Sequence, residues 1–288
     1  MPTMPQPPSS LLMGPSGGGK TTALATYAKA GVETFCLITE PGGVDSLIDA
    51  AKIVGAPMDK LHWATVMPAT EGWKALDEMV KDIGSKDFEA ISKIKGIGKE
   101  QTRNAAMKLL ENLKLFDCER CGKTHGDFTS FNHNQALVMD SLSGLSTIAW
   151  YLTVGYKPTG APGEWNIAQN FIDALLLKIN SDRKCFFTLT AHVEKETDEL
   201  TGVNKIMVST LGRKLAPKIP RYFGEVIYAT RTLNKDGKYS FNWSTVDGQI
   251  ELKNRALPVS HSLPPDFGQI VSAYKRRLSE AGIVDPGK

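Results

Sequence analysis

The chain has 288 residues, 41% of them hydrophobic, which suits one large α/β domain with insertions or two smaller domains with a proper core. A formal net charge of only +3 excludes a global basic field, so any contact with a polyanion must be local. Four cysteines make no disulfide framework and no apolar run reaches the length of a membrane span; with no signal peptide read at the start, a reducing cytoplasm is expected.

The proline-rich start, residues 1–9, reads as a flexible N-terminal arm. Leu11-Leu12-Met13 reads as a short buried strand, and residues 22–30 as a helix. Between them stands Gly14-Pro15-Ser16-Gly17-Gly18-Gly19-Lys20-Thr21, a complete G-x-x-x-x-G-K-T phosphate loop in its strand–loop–helix context. Glycines let successive backbone N–H groups curl round a β-phosphate, and the helix N-terminus adds partial positive charge. Lys20 is expected on the β- and γ-phosphates and the Thr21 hydroxyl on Mg²⁺, with Thr22 completing the cradle. The expected ligand is a nucleoside triphosphate.

Residues 34–39 form an apolar run that ends at Glu40. Ligands bind at the carboxyl edge of open parallel sheets, so Glu40 is a candidate general base or water-orienting residue. Residues 45–53 read as a helix and 62–66 as a strand. The sheet signal then stops. Trp73, Leu76, Val80 and Ile83 share helical spacing, as do Ala106, Leu109, Leu110 and Leu113, which makes Trp73 an expected core residue. Residues 91–101, with Gly96-Ile97-Gly98, fit either the phosphate-binding turn of a helix-hairpin-helix module or an ordinary turn between helices. Next comes Cys118-Glu119-Arg120-Cys121, followed by His125 and His133. Two thiolates on a knuckle and two imidazoles would make a structural Zn²⁺ site; free surface cysteines and a redox pair are the alternatives.

Residues 135–140 bring the sheet back, with Asp140 at the strand end as the companion of Thr21 at Mg²⁺. Residues 142–152 read as a helix. Residues 153–164 are rich in Gly and Pro, with Tyr156, Lys157 and Trp165 nearby. Residues 166–179 form an amphipathic helix, and 185–190 a strand ending at Ala191-His192. Residues 201–231 set Lys205, Arg213, Lys214, Lys218, Arg221 and Arg231 against the lone acid Glu225, a pattern that suits a polyanion or a merely solvated loop. Residues 225–231 and 239–244 flank Asn234-Lys235-Asp236-Gly237 as a hairpin. Residues 250–255, with Lys253 and Arg255, are expected to close the sheet, and 267–281 to form the last helix.

This order of motifs resembles the core of RecA-type ATPases, and is most similar to phage-encoded, core-only RecA-like proteins of single-strand annealing and recombination. The resemblance covers about residues 10–55 and 135–258, and leaves out the stretch from 68 to 134. It implies an α/β P-loop NTPase core with a mainly parallel sheet and a late β-hairpin. The chain then divides into an arm (1–9), a first core part (10–67), a helical, zinc-stapled insertion (68–134) and a second core part (135–288).

The resemblance also implies roles for residues. Glu40 activates water, Asp140 attends Mg²⁺, and His192 stands where the family has a glutamine that senses the γ-phosphate. Lys253 and Arg255 resemble a Lys-x-Lys pair that reaches a neighbouring subunit's ATP. Residues 153–164 and about 194–218 become mobile loops for single-stranded DNA, through Tyr156, Lys157, Lys205, Arg213, Lys214 and Lys218. The implied partners are single-stranded DNA, further copies of the chain and a phage or host single-strand-binding protein, in the cytoplasm of an infected bacterium, with no membrane. The trans finger is also argued on physical grounds, because no in-chain arginine is evidently placed against the phosphates; a finger in trans is worth about 10³–10⁵ in rate. A ring-forming helicase or translocase and a nucleotide-switched assembly protein share the same core, and a small-molecule kinase fits least.

Overall fold

The structure, a computed structural model, describes residues 4–68, 70, 73–84, 99–155, 160–197 and 204–283. Its strands are β1 (Ser9–Met13), β2 (Glu33–Ile38), β3 (Leu61–Thr65), β4 (Gln135–Asp140), β5 (Phe186–Ala191), β6 (Val193–Thr197), β7 (Asn204–Val208), β8 (Glu225–Leu233) and β9 (Tyr239–Ser244). The helices are α1 (Lys20–Lys29), α2 (Gly43–Val54), α3 (Trp73–Gly84), α4 (Lys99–Lys114), α5 (Leu142–Val154), α6 (Pro162–Asp182), the short α7 (Gly212–Leu215) and α8 (Gly268–Glu280). Among the described residues one sheet runs in the order β3-β2-β4-β5-β1-β8-β9. All its pairings are parallel except β8 with β9.

The central strands β1, β2, β4 and β5 are mostly apolar and buried because both faces of the sheet are covered there, and the two-residue side-chain period sorts them. Leu11, Phe35, Leu37, Leu137, Met139, Phe187 and Leu189 pack on one face with α4, α5 and α6. Leu12, Cys36, Ile38, Ala136, Val138 and Phe186 pack on the other with α1, α2 and α8. The chain is therefore an α/β protein with a mostly parallel sheet, and the carboxyl ends of β1, β2, β4 and β5 come together in mid-sheet.

Several expectations change. Trp73 is 84% exposed and Val80 70%, so these residues of α3 are not core. Spacing marks a face but not what it meets, and here α4 fills the sheet with Ala106, Leu109 and Leu113. Those residues, with Phe116, Phe128 and Phe131, share the core of the main sheet, so the later part of the 68–134 stretch is a layer of the domain itself. Residues 91–98 lie outside the described residues. Residues 250–255 form no strand; only Lys253 bridges, antiparallel, to Val226. The described part of the expected loop at 194–218 is regular: β6 pairs with β7, and α7 and a 3-10 turn (Ala216–Tyr222) follow. The arm is fastened from Pro5 onward, with Tyr274 donating to the Pro5 carbonyl at 2.8 Å, Arg183 to that of Pro7, and Gln6 donating to the Arg183 carbonyl at 2.8 Å.

Candidate functional site

The phosphate loop leaves β1 at Gly14, whose N–H donates to the Ala191 carbonyl at the end of β5 at 3.1 Å. Gly17 and Gly19 hold φ of 69° and 79°, a region that a side chain strains, and Gly19 caps α1. Lys20 is buried, and its Nζ donates to the carbonyls of Gly14 and Pro15 at 2.9 and 3.0 Å. Burial pushes its ammonium down, against the Asp140 and Glu40 carboxylates, which hold it up. The loop and the N-terminus of α1 thus stand at the sheet's carboxyl edge, the arrangement that receives phosphate.

Thr21 donates to Asp140 Oδ2 at 3.0 Å, and Thr190 at the end of β5 donates to Oδ1. Burial pushes the Asp140 carboxyl up, while the Thr190 and Thr21 hydroxyls pull it down. A hydroxyl and a carboxylate at this spacing are hard oxygen donors that fit Mg²⁺. Beyond them, Ser141 donates to Glu40 Oε1, and His192 Nε2 stands 3.5 Å from that same oxygen. Thr39 ties the ends of β2 and β4 together: its hydroxyl donates to the Ser141 carbonyl at 2.9 Å and accepts from the Ser141 N–H at 2.8 Å. Glu40 and His192, separated by most of the chain, are therefore neighbours. Both are about one-third exposed, open enough to meet water and substrate.

Sequence reasoning missed a wall of this site. β8 runs parallel to β1, continues past the sheet's edge and turns back as β9. A Cβ on Gly14 would overlap the Ala229 carbonyl oxygen; one on Gly17 would stand 2.7 Å from Arg231 Nη1, and one on Gly19 2.9 Å from the Phe241 ring. Arg231 also stacks over the Tyr239 ring, 4.9 Å from its centroid. An in-chain arginine thus does lie against the phosphate loop. Only the pairing of β8 with β1 reveals it, and no local pattern encodes that pairing.

Lys253 and Arg255 sit elsewhere. Lys253 Nζ donates to the Phe223 carbonyl at 2.8 Å, and the Arg255 N–H to the buried Glu225 carboxylate at 2.9 Å. They line a basic cleft of about 240 Å³ with Arg183, Arg221 and Arg277, at the Ser9 end of β1, away from their own phosphate loop. Tyr156 and Lys157 lie outside the described residues. Lys205 on β7 pairs in register with Glu196 on β6, an acid that stands outside the 201–231 window. Lys214 and Lys218 are exposed just beyond; the Arg213 side chain is outside the description.

The expected metal ligands converge at a different corner. Cys118, Cys121 and His125 stand together with His62 of β3, all four ligand atoms within 4.8 Å of one another. His133 is not in this group. A histidine on a strand more than fifty residues upstream carried no spacing signal, whereas His133 merely stood next in line. Burial, with His125 beside it, holds the His62 imidazole down at about 4, against the pull of Glu33.

No protein-family model matches this chain, and no curated protein sequence does. Among solved structures it is similar to a prototypical ATPase from the type III secretion system of pathogenic bacteria, at 14% identity and a TM-score of 0.44. The likeness covers 97% of this chain and 64% of that one, so the chain spans less than two thirds of that protein's length. No helix among the described residues is long and apolar enough to cross a membrane.

Proposed function

We propose that this protein binds ATP with Mg²⁺ in its phosphate loop and hydrolyses it, and that it does so as an oligomer acting on single-stranded DNA in recombination of the phage RecA-like type. The observation that carries the hydrolytic part is the meeting of Lys20, Thr21, Asp140, Glu40 and His192 at the carboxyl edge of four parallel strands. Thr21 and Asp140 would hold Mg²⁺, which when bound neutralises charge on the phosphate oxygens. Lys20, released from the Gly14 and Pro15 carbonyls, binds the β- and γ-phosphates. Glu40, held by Ser141, orients and deprotonates the attacking water. His192, touching Glu40 and leading straight into β6, links the state of the γ-phosphate to the β6–β7 hairpin. Arg231 adds in-chain positive charge at the loop.

The oligomer rests on Lys253 and Arg255. They point into a basic cleft at the wrong end of β1 for their own nucleotide, so any role at ATP requires a second copy. The DNA reading rests on the order of motifs and on Lys214 and Lys218.

The test is steady-state ATP hydrolysis with and without single-stranded DNA, across protein concentration, with Lys20→Ala as blank. A rate per subunit that rises with DNA and with concentration is expected. A rate indifferent to both would remove the recombination reading and leave an ATPase answering to another partner; no rate above the blank would remove hydrolysis.

A further inference from the structure

The geometry points to a structural zinc site whose four ligands are Cys118, Cys121, His125 and His62, and which clamps the segment after α4 onto the open edge of the sheet. The donor set, two thiolates and two imidazoles, is that of closed tetrahedral zinc sites. Zn–S bonds of about 2.3 Å and Zn–N bonds of about 2.05 Å at tetrahedral angles give an S···N edge of about 3.6 Å. Cys121 Sγ stands 3.3 Å from His125 Nε2 and 3.7 Å from His62 Nδ1, on either side of that value.

The surroundings are built to hold ligands in place. His62 Nε2 lies 3.1 Å from Glu33 Oε1, and the other Glu33 oxygen accepts from Gln135 at 3.0 Å. The carboxylate accepts a hydrogen bond from Nε2–H and so leaves the Nδ1 lone pair facing the thiolates, the outer-shell arrangement typical of metal-bound histidine. The knuckle itself is closed by the Cys118 N–H to the Lys123 carbonyl at 3.0 Å and the Gly122 N–H to the Cys118 carbonyl at 2.9 Å, with Gly122 at a φ of 64°. A redox pair would need neither imidazole nor the Glu33–His62 contact.

The site also explains what the knuckle does. β3 is the edge strand, and an open edge is a template for pairing with another chain. The two residues between the cysteines occupy it. Glu119 N–H donates to the Trp63 carbonyl at 2.9 Å, Arg120 Nε to that of Leu61 at 2.6 Å, and Glu119 Oε1 accepts from the Thr65 N–H at 2.9 Å. Zinc bound by His62 on the strand and by three ligands on the knuckle fixes this cover in position.

The test counts zinc in the full chain, purified under reducing conditions, supplied with Zn²⁺ and freed of excess, with Co²⁺ absorption reporting thiolate ligation and tetrahedral geometry. One zinc per chain is expected in the wild type and in His133→Ala, and none in His62→Ala or Cys121→Ser. Glu33→Gln should bind about 10- to 100-fold more weakly. Should His62→Ala fail to fold, His62→Cys restores a four-ligand set and is expected to fold and carry one zinc. Chelation should leave a chain that self-associates as the β3 edge is uncovered. A wild type without zinc, a His62→Ala variant that keeps it, or a His133→Ala variant that loses it would each overturn the assignment.

Discussion

The two polar centres of this molecule lie at opposite edges of one sheet and are built on opposite principles. At the carboxyl edge of β1, β2, β4 and β5, the groups bond to one another through contacts that a substrate can replace. Lys20 rests on carbonyls of its own loop, and Glu40 shares one oxygen between Ser141 and His192. At the amino end of β2 and β3, the ligand atoms of Cys118, Cys121, His125 and His62 converge on one another, Phe35 packs against both imidazoles, and Glu33 locks His62 from behind. The first arrangement has room for a ligand and for a proton to move. The second has four donors for one ion and no open position, so it can hold but cannot catalyse. One edge is made to change state and the other to stay fixed.

The strongest way to break that contrast is to show that the carboxyl edge is complete within one chain. If Lys253 and Arg255 reach a neighbour's ATP, the double alanine variant should lose about 10³-fold or more in kcat while still binding ATP. Mixing it with Lys20→Ala should restore part of the turnover, because the second variant lends the finger that the first lacks. No rescue in mixed assemblies, with both variants folded, would place all the chemistry in one subunit.

Glu40→Gln comes next, with an expected loss of about 10²–10⁴-fold in turnover and little change in ATP affinity. The amide keeps the Ser141 contact but cannot take a proton. Zinc content should be untouched, because the exchange sits at the other edge. A variant that turns over at the wild-type rate would reduce Glu40 to a strand-end carboxylate.

The same contrast governs what could be read from the sequence. The phosphate loop was legible because its chemistry is contiguous: consecutive N–H groups, a lysine and a threonine must follow one another along the chain. Glu40, Asp140 and His192 were legible for a related reason, since each ends an apolar run, and parallel strands bring such ends to one edge. Arg231, Phe241 and His62 were not. Each reaches its site sideways, through the pairing of β8 with β1, the return of β9, or the fold of the knuckle onto β3. The exposed face of α3 teaches the converse, because Trp73, Leu76 and Val80 carried a helical signal but nothing to say what the face would meet.

Arg231→Ala should act more gently than the finger variant. The guanidinium lies beside Gly17, where it can bond to a phosphate, and removing a charge-assisted contact of about 1.5–3 kcal/mol weakens binding by about tenfold or more. The loss should be smaller for Arg231→Lys, which keeps the charge but not the fork or the stacking on Tyr239. A fluorescent ATP analogue titrated against the folded variants measures it. Unchanged affinity would make the hairpin a passive wall.

The smallest expected effect concerns DNA, and it separates basic residues that look alike in the sequence. Each phosphate contact to single-stranded DNA contributes about 0.7 to the slope of log affinity against log salt. Lys214 and Lys218 are exposed on α7 and the turn that follows it, so the double alanine variant should lower the slope by up to about 1.4, twice the single-contact value. Lys205 stands directly across the β6–β7 hairpin from Glu196, and a cation beside a carboxylate attracts a phosphate less. Lys205→Ala should therefore lower the slope by less than Lys218→Ala does. A slope that falls by the same amount for Lys205 as for Lys218 would put β7 itself on the DNA backbone.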